Sequence, residues 1–282
     1  CIADRAGYVL AMSVEVSVVI PVRDGADTIR RQLDALVAQL TPDVEVVVVD
    51  NGSTDTTAAV VESVAALHPA VRLESEPHGG ANAARNHGIA SSSGSLILLC
   101  DGDDEVAVNW IAAMRSVLET HELAGSPIDP RTVDGRRGTI EPRSFQLWGL
   151  GAPFGCGCGV RRSVWEDAGG FDPRLFGGYD ELDFFLRAQL RGARLGWAHD
   201  TVVHYRLDDS EAKRTKRRRE SDMNSRRVYW QGRRAGRPAT PELWRDMWFL
   251  LTRLPFIVHS PARRSMWTRA AVRRWDRGKG FV

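Results

Sequence analysis

The sequence predicts an α/β protein built on an open, mostly parallel sheet with helices on both faces. Apolar runs typical of strands alternate with amphipathic segments typical of helices through the first hundred residues. The strand runs are apolar throughout, as strands covered on both faces must be. Two of these runs end in acidic side chains, Asp50 and Asp101. In a Rossmann-like sheet of this kind, ligands bind at the carboxyl ends of the strands.

Four strands and three helices are predicted in this first part. The strands are residues 16–22, 44–49, 71–73 and 96–100. The first helix covers 29–40 with Asp27 as its N-cap, because the apolar positions from Ile29 to Leu40 recur at helical spacing. The second begins near Ser53 or Asp55 and turns Ala58, Val61 and Ala65 inward, and the third covers 82–90.

The rest of the chain is less regular. Residues 122–145 are rich in Gly, Pro, Arg and Asp, which predicts a long loop. We expect it to separate a nucleotide-binding half, residues 15–121, from an acceptor half, residues 146–206. Helices are predicted at 162–168 and 181–189. Residues 1–14 show no usable pattern, and residues 207–282 form a basic, Trp- and Arg-rich extension that we expect to be helical.

Charge is distributed unevenly along the chain. Residues 206–282 carry a net charge of +13, whereas residues 1–205 carry −11. Six of the seven residues from Lys213 to Arg219 are basic, and several Trp, Leu and Phe residues follow. Our first interpretation is that the apolar side chains of this segment pack on the main domain while its basic residues face water. Peripheral contact with an anionic membrane is the second hypothesis, because basic segments with interfacial aromatic residues bind such surfaces. No nucleic-acid partner is expected, because no known module is recognisable.

The cysteines and the apolar stretches indicate a cytoplasmic protein. Four cysteines are too few for a disulfide framework, and the Cys156/Cys158 spacing is not typical of a zinc or redox pair, so we expect reduced thiols. The N-terminus has no signal-peptide pattern, and the apolar stretch at 248–258 is too short to span a bilayer.

The acidic motif after the fourth strand is the strongest chemical signal. Asp101-Gly102-Asp103-Asp104 directly follows five apolar residues. Carboxylates at the end of a buried strand are costly unless a cation or hydrogen-bond donors compensate them. Oxygen ligands suit Mg²⁺ or Mn²⁺, which fill their remaining positions with phosphates and water. We interpret Asp101 and Asp103 as metal ligands in a DXD motif, and Asp104 as a cap of the next helix.

A second signal is the glycine-rich segment 79–88, which contains Arg85. Small residues let the backbone approach a ligand closely, and arginine is a natural partner for a pyrophosphate. A plain turn before a helix is the simple alternative. The segment is not the dinucleotide fingerprint, since no G-x-G-x-x-G follows the first strand.

Together these motifs resemble family 2 glycosyltransferases of GT-A fold, over residues 15–206. The motifs are Val18-Val19-Ile20-Pro21-Val22, Val49-Asp50-Asn51-Gly52-Ser53-Thr54-Asp55, Ala84-Arg85-Asn86-His87-Gly88, Asp101-Gly102-Asp103-Asp104, Arg161-Arg162, Gly169-Gly170-Phe171-Asp172 and Asp180-Glu181-Leu182-Asp183. The resemblance implies an inverting, metal-dependent enzyme that transfers a sugar from a nucleotide-diphosphate donor to an acceptor hydroxyl. The acceptor would be a sugar, a lipid-linked molecule or a small molecule, in synthesis of surface polysaccharide, glycolipid or a glycosylated metabolite.

The resemblance also assigns donor-binding residues. Pro21 and Val22 would lie beside the nucleotide base, and Asp50 would bond the base or its ribose. Arg85 would face the diphosphate. Asp101 would contact the ribose or a metal-bound water.

The same resemblance assigns the metal ligands. Asp103 would hold the metal directly, with Asp101 beside it. His204 stands at the distance where many relatives place a further metal contact. A partly buried histidine at a strand end is the equal alternative for His204.

The second acidic motif carries the candidate base. An inverting transfer needs a carboxylate that takes the acceptor proton on the face opposite the leaving group. The family usually has Glu-Asp followed two residues later by Asp, whereas this chain has Asp180-Glu181 followed by Asp183. Glu181 stands where the base usually lies, and the swapped order keeps Asp180 as an alternative. Asp183 and Arg187 are expected to form an ion pair within a helix.

Two other functions fit part of the pattern. A non-catalytic protein of the same fold would bind nucleotide sugars or carbohydrates, and the swapped acidic pair would then mark lost activity. A nucleotidyltransferase would share the sheet and the carboxylates. That class usually carries a Gly-rich, basic loop after its first strand, where this chain has Arg23-Asp24-Gly25.

Overall fold

The computed structural model describes residues 13–78, 80–132, 150–175 and 181–207. These residues form a seven-stranded sheet of order β3-β2-β1-β4-β8-β6-β9 and a three-stranded sheet of order β5-β10-β7. The strands are β1 Val16–Val22, β2 Val44–Asp50, β3 Val71–Ser75, β4 Leu96–Leu99, β5 Glu105–Val106, β6 Leu123–Gly125, β7 Ile128–Thr132, β8 Cys158–Arg161, β9 Leu195–Trp197 and β10 Val203–Leu207.

The first four strands are parallel and form one half of the large sheet. β1 pairs with β2 on one side and with β4 on the other, and β2 pairs with β3. All seven residues of β1 and all four of β4 are buried. Because the strands are parallel, β1, β2 and β4 end at the same edge. The α/β class and the mostly parallel sheet are therefore confirmed.

Helices cover both faces of this sheet. They are α1 Ile29–Val37, α2 Thr57–Ala65, α3 Ala81–Ser91, α4 Trp110–Thr120, α5 Arg162–Ala168 and α6 Leu182–Leu190. One core contains the even-numbered positions of β1 with side chains of α1, α2 and α4. The other contains Val19 with side chains of α3, α5 and α6, including Phe184 and Phe185. The sheet thus lies between two apolar cores.

The second half completes the large sheet and adds the small one. β8 lies antiparallel between β4 and β6, and β9 extends the sheet parallel to β6. β10 pairs with β5 and with β7. Since β5 directly follows the acidic motif, β10 is held next to it.

Several local expectations were wrong. Thr28, not Asp27, is the N-cap of α1. Residues 122–145 are not one irregular loop, because β6 and β7 lie at 123–125 and 128–132. These strands are short and contain Gly or Pro, so their pattern is weak. Residues 133–149 lie outside the described residues.

The expected reduced thiols are confirmed for the three cysteines among the described residues. Cys100, Cys156 and Cys158 are buried free thiols, and Cys1 lies outside the described residues. Within the described ranges, none of the helices combines the length and hydrophobicity needed to span a bilayer. The basic extension from residue 208 onward lies outside those ranges, as do residues 1–12, and the division into two halves stays a prediction.

Gly88 provides a test of how tightly α3 packs on the sheet. A Cβ added there would lie 2.8 Å from Val49 Cγ2 and still closer to Val19 Cγ1. Although alanine favours a helix over glycine by about 1 kcal/mol, we expect Gly88→Ala to lower the free energy of unfolding by roughly 1–3 kcal/mol. Urea denaturation measures this change. In the control Gly151→Ala, the nearest atom is Leu195 Cδ2 at 3.8 Å, so its stability should stay within about 0.5 kcal/mol. A Gly88→Ala variant as stable as wild type would contradict the close approach.

Candidate active site

The carboxyl ends of three neighbouring strands form the floor of the candidate site. Val22 ends β1 and pairs with Asp50, the last residue of β2. On the other side of β1, β4 is followed by Cys100 and then by Asp101. Pro21 and Val22 are buried between these two acidic ends. The topology thus brings the residues predicted from the first, second and fourth strands to one edge.

The loops after β1 and β2 are fastened to each other. Asp24, at φ 50°, accepts the Thr54 N–H at 2.7 Å, and its own N–H donates to Ser53 Oγ at 2.9 Å. The Gly25 N–H donates to Thr57 Oγ1 at 2.8 Å. The Asp50 carboxylate accepts the Ser53 N–H at 3.1 Å. These contacts hold Asp50 and the loop beyond β1 in a fixed relation.

The acidic turn is held by a buried glutamine of α1. Gln32 Nε2 donates to the Asp101 carbonyl at 3.2 Å, and its Oε1 accepts the Val106 N–H at 3.0 Å. The side chain therefore spans the turn from its first residue to β5. These two hydrogen bonds explain why an amide stands on an otherwise apolar helix face, since a buried polar group must find hydrogen-bond partners.

Asp104 is the buried member of the acidic motif, with 1% of its surface exposed. Its Oδ1 accepts the Arg206 N–H of β10 at 2.7 Å. Its Oδ2 has no hydrogen-bond partner among the described residues. Burial, followed by the charges of Asp103 and Asp101, raises the pKa of Asp104 to about 9. The expectation that Asp104 caps the next helix was wrong, since Asn109 is the N-cap of α4.

Arg85 lies on α3, and its side chain extends to the acidic turn. It is 4% exposed. Its Nη1 donates to Asn82 Oδ1 at 3.0 Å, and its Nη2 lies 3.2 Å from Asp101 Oδ1. A buried guanidinium needs such partners to offset the loss of water. The contact places a permanent cation beside Asp101, whose side chain is 32% exposed.

Glu181 meets Arg85 at Gly155. The Gly155 N–H donates to Glu181 Oε1 at 3.3 Å. A Cβ on Gly155 would lie 2.8 Å from Arg85 Nη2 and 3.5 Å from Glu181 Cδ. Glycine at this position therefore lets the cation and the carboxylate approach the same point. Glu181 is also the N-cap residue of α6, so that helix fixes its place in the site.

Three groups near the acidic turn fit a divalent cation. One ligand atom each from Asp101, Asp104 and Cys156 lies within 4.8 Å of the others. The Oδ2 of Asp104 has no hydrogen-bond partner among the described residues and could serve as a ligand atom, and paired carboxylates suit Mg²⁺ or Mn²⁺. Burial and the neighbouring Asp104 and Asp101 raise the pKa of the Cys156 thiol well above its usual range. The neutral thiol is thus a poor ligand for a hard cation, and the carboxylates are the relevant groups.

Asp103 and His204 lie outside that group. Asp103 is exposed on the turn. His204 pairs with Glu105 in the small sheet, next to the acidic motif, and its Nδ1 lies 3.3 Å from Asp129 Oδ2. Its side chain is partly buried near the start of β10. Their roles as metal ligands stay predictions.

Three features of the site were not predicted from the sequence: the role of Gln32, the burial of Asp104, and the approach of Arg85 and Glu181 to Gly155. Gln32 stands on the buried stripe of α1 with Ile29, Leu33 and Leu36, and this polar interruption was a usable signal. The burial of Asp104 depends on β10, and the convergence on Gly155 depends on the turn before β8. Neither segment has a sequence pattern that identifies it. Asp180 lies outside the described residues, so its position relative to Glu181 is not described.

The predicted ion pair between Asp183 and Arg187 within α6 is confirmed. Arg187 Nε donates to Asp183 Oδ2 at 2.8 Å, and Asp183 is 2% exposed. Arg187 also donates to the carbonyls of Ala168 and Gly170. The pair therefore anchors α6 to the end of α5 and lies apart from the acidic turn. Burial raises the pKa of Asp183, while Arg187 opposes that shift.

Solved structures of low sequence identity share this fold. TarS 1-349 of S. aureus, in complex with UDP-GlcNAc, matches with a TM-score of 0.64 and 18% identity, over 93% of this chain and 81% of that chain. The mannosyltransferase PcManGT of Pyrobaculum calidifontis, in complex with GDP-Man and Mn²⁺, matches with a TM-score of 0.63 and 17% identity, over 94% and 86%. The expected GT-A fold is confirmed by these likenesses.

Sequence comparisons identify the family. Glycosyltransferase AglE of Haloferax volcanii is 30% identical over 199 residues, 66% of this chain and 65% of AglE. The chain spans 27% and 31% of two further curated relatives. The profile of the family described as "Glycosyl transferase family 2" matches residues 17–167. This match covers more than half of the chain, including Asp50, Arg85 and the acidic turn, and the chain therefore belongs to glycosyltransferase family 2.

Proposed function

We propose that this protein transfers a sugar, with inversion at the anomeric carbon, from a nucleoside-diphosphate donor to an acceptor hydroxyl. One observation carries the proposal: Arg85 pairs with Asp101 and approaches Glu181 at Gly155, at the carboxyl edge of the sheet. A cation for the leaving diphosphate and a carboxylate for the acceptor proton are the two groups that this reaction needs.

The donor would lie across the ends of β1, β2 and β4. The nucleotide base contacts Pro21 and Val22, and Asp50 bonds the base or its ribose. Asp101 contacts the ribose or a metal-bound water, and Arg85 faces the diphosphate. UDP-GlcNAc and GDP-Man in TarS and PcManGT support this class of donor. A thermal-shift panel of nucleotide sugars identifies the nucleotide and the sugar, since a bound ligand raises apparent stability.

Asp101 and Asp103 would hold Mg²⁺ or Mn²⁺, with the buried Asp104 carboxylate behind them and His204 as a further ligand. The bound ion supplies a Lewis acid that neutralises charge on the leaving diphosphate. Mn²⁺ in the PcManGT complex supports this assignment. Arg85 shares the same task with a charge that no pH change in the working range removes.

Glu181 is the proposed general base. Its carboxylate would accept the proton of the acceptor hydroxyl as that oxygen attacks the anomeric carbon. The Gly155 N–H fixes the carboxylate at the edge of the donor site. Asp180 is the alternative base, since it is adjacent in sequence. The acceptor is proposed to be a sugar, a lipid-linked molecule or a small molecule.

Replacing the proposed base should separate catalysis from binding. We expect Glu181→Gln to lower kcat about 10²–10⁴-fold while the affinity for the donor stays within about twofold, because the amide cannot take the proton. Transfer and donor hydrolysis assays, with donor binding by calorimetry, measure both quantities. Glu62→Gln, on the exposed side of α2, is the matched control.

Two results would redirect this proposal. A fully active Glu181→Gln together with an inactive Asp180→Asn moves the base to Asp180. Tight donor binding by wild type, with no turnover of any donor, favours the non-catalytic binding protein.

Removing the metal ligands should weaken ion binding directly. We expect Asp101→Asn and Asp103→Asn each to lower Mn²⁺ affinity at least about tenfold, because even indirect supports of a metal site cost about that much. Electron paramagnetic resonance of free Mn²⁺ measures the affinity, and chelator should stop donor hydrolysis. The exposed Asp200→Asn serves as control. If both variants bind Mn²⁺ like wild type, the ion is held elsewhere.

We also propose peripheral contact with anionic membranes through the basic extension. The net charge of +13 over residues 206–282 and the Trp residues of the extension support this proposal. The full chain should sediment with phosphatidylserine vesicles at low salt and release at high salt, because surface attraction is screened. Replacing the six basic residues within 213–219 by Gln should abolish sedimentation, and neutral vesicles are the control. Equal binding by wild type and variant would refute the electrostatic contact.

A further inference from the structure

Asn82 joins two segments beside the candidate site and also contacts Arg85. It lies on the buried face of α3, one turn before Arg85, and is fully buried. Its Nδ2 donates to the carbonyl of Asp172 at 3.0 Å and, more weakly, to that of Leu175 at 3.4 Å. Its Oδ1 accepts Arg85 Nη1 at 3.0 Å. One amide thus connects α3, the turn at 172–175 and the buried cation.

The contacts of Asn82 fix the plane of the guanidinium. Arg85 is bound at Nη1 by Asn82 and at Nη2 by Asp101, so the two ends of the planar group are set by different elements. A guanidinium recognises phosphate oxygens through a fork of fixed geometry. Its orientation, and not its charge alone, therefore determines how it meets a diphosphate.

We propose that Asn82 is a positioning residue, which orients Arg85 toward the donor diphosphate and ties it to the turn preceding Glu181. This inference rests on the proposed contact of Arg85 with the donor. Asn82 acts through Arg85 and does not touch the donor itself. The turn at 172–175 is held by the same amide, so the donor contact and the segment that leads to the acidic pair share one support.

Asn86 is a matched control on the same helix. Its Nδ2 donates to the Phe171 carbonyl at 2.7 Å, and its Oδ1 accepts the Phe171 N–H at 2.9 Å and Trp165 Nε1 at 3.2 Å. It thus ties α3 to the same stretch of chain as Asn82 does. These bonds go to Phe171 and Trp165 and not to Arg85. Loss of Asn86 reports the structural cost of freeing this stretch.

The experiment is a double-mutant cycle on binding. Wild type, Asn82→Ala, Asn86→Ala, Arg85→Met and the Asn82→Ala/Arg85→Met double variant are titrated calorimetrically with UDP, GDP, CDP, ADP and dTDP in the presence of Mn²⁺. We expect Asn82→Ala and Arg85→Met each to weaken the best-bound diphosphate about tenfold or more, because a hydrogen bond to a charged group is lost. The double variant should be no weaker than Arg85→Met, since residues that act as one unit are not additive.

The control and the stability data decide between positioning and structure. Asn86→Ala should bind within about twofold of wild type, although its melting temperature falls about as far as that of Asn82→Ala. Equal loss of affinity in the two asparagine variants, wild-type affinity in Asn82→Ala, or additive losses in the double variant would overturn the inference alone. If Asn82→Ala fails to fold, Asn82→Ser, which leaves room for a water, is held to the same criteria.

Failure of the underlying function gives a different result. If Arg85→Met binds all five nucleotides like wild type, the proposed contact of Arg85 with the donor is refuted. The proposed role of Asn82 is then refuted as well. If wild type binds none of the five, the proposed donor site itself is refuted.

Discussion

The ion pair between Arg85 and Asp101 is the interaction on which the rest of the site depends. A cation that is 4% exposed and an acidic turn at the end of β4 would each be costly alone. Together they compensate one another at 3.2 Å, while Asn82 accepts a hydrogen bond from Arg85 and Gln32 donates one to the Asp101 carbonyl. Asp104 remains costly, because burial raises its pKa to about 9 and its Oδ2 has no hydrogen-bond partner among the described residues. A divalent ion bound beside it would offset both effects.

The parallel half of the sheet explains why these groups meet. Three parallel strands end at one edge, so Val22, Asp50 and Asp101 come together without any local sequence relation. Buried side chains on both faces fix the register of β1 against β2 and β4. A slip of one residue would exchange the two apolar cores and displace the acidic ends. The geometry of the site is therefore a consequence of core packing.

The second half of the chain completes the site from the opposite side. β8 enters antiparallel next to β4, and the turn before it brings Gly155 and Cys156 against the acidic motif. β10 adds the Arg206 N–H to Asp104. α6 begins at the edge of the same site with Glu181, and the Asp183–Arg187 pair fixes that helix to the end of α5. The acidic turn, Arg85 and Glu181 are thus held by one connected set of contacts.

The sequence by itself determined the α/β class, the first four strands and the identity of the groups at their ends, because continuous apolar runs and acidic termini are local signals. It also determined α5 and the pairing within α6, which depend on spacing along one helix. Tertiary structure alone decided that Asp104 is buried, that Gln32 and Asn82 support the acidic turn and Arg85, and that Glu181 reaches Gly155. Apart from the contact between Asn82 and Arg85 within α3, these features arise from contacts between residues 26 to 102 positions apart, and short strands such as β8 and β10 leave little pattern in the sequence. Burial and the choice of distant partners are properties of the packed chain, so a local pattern could at most mark a residue such as Gln32 as unusual and could not name its partners.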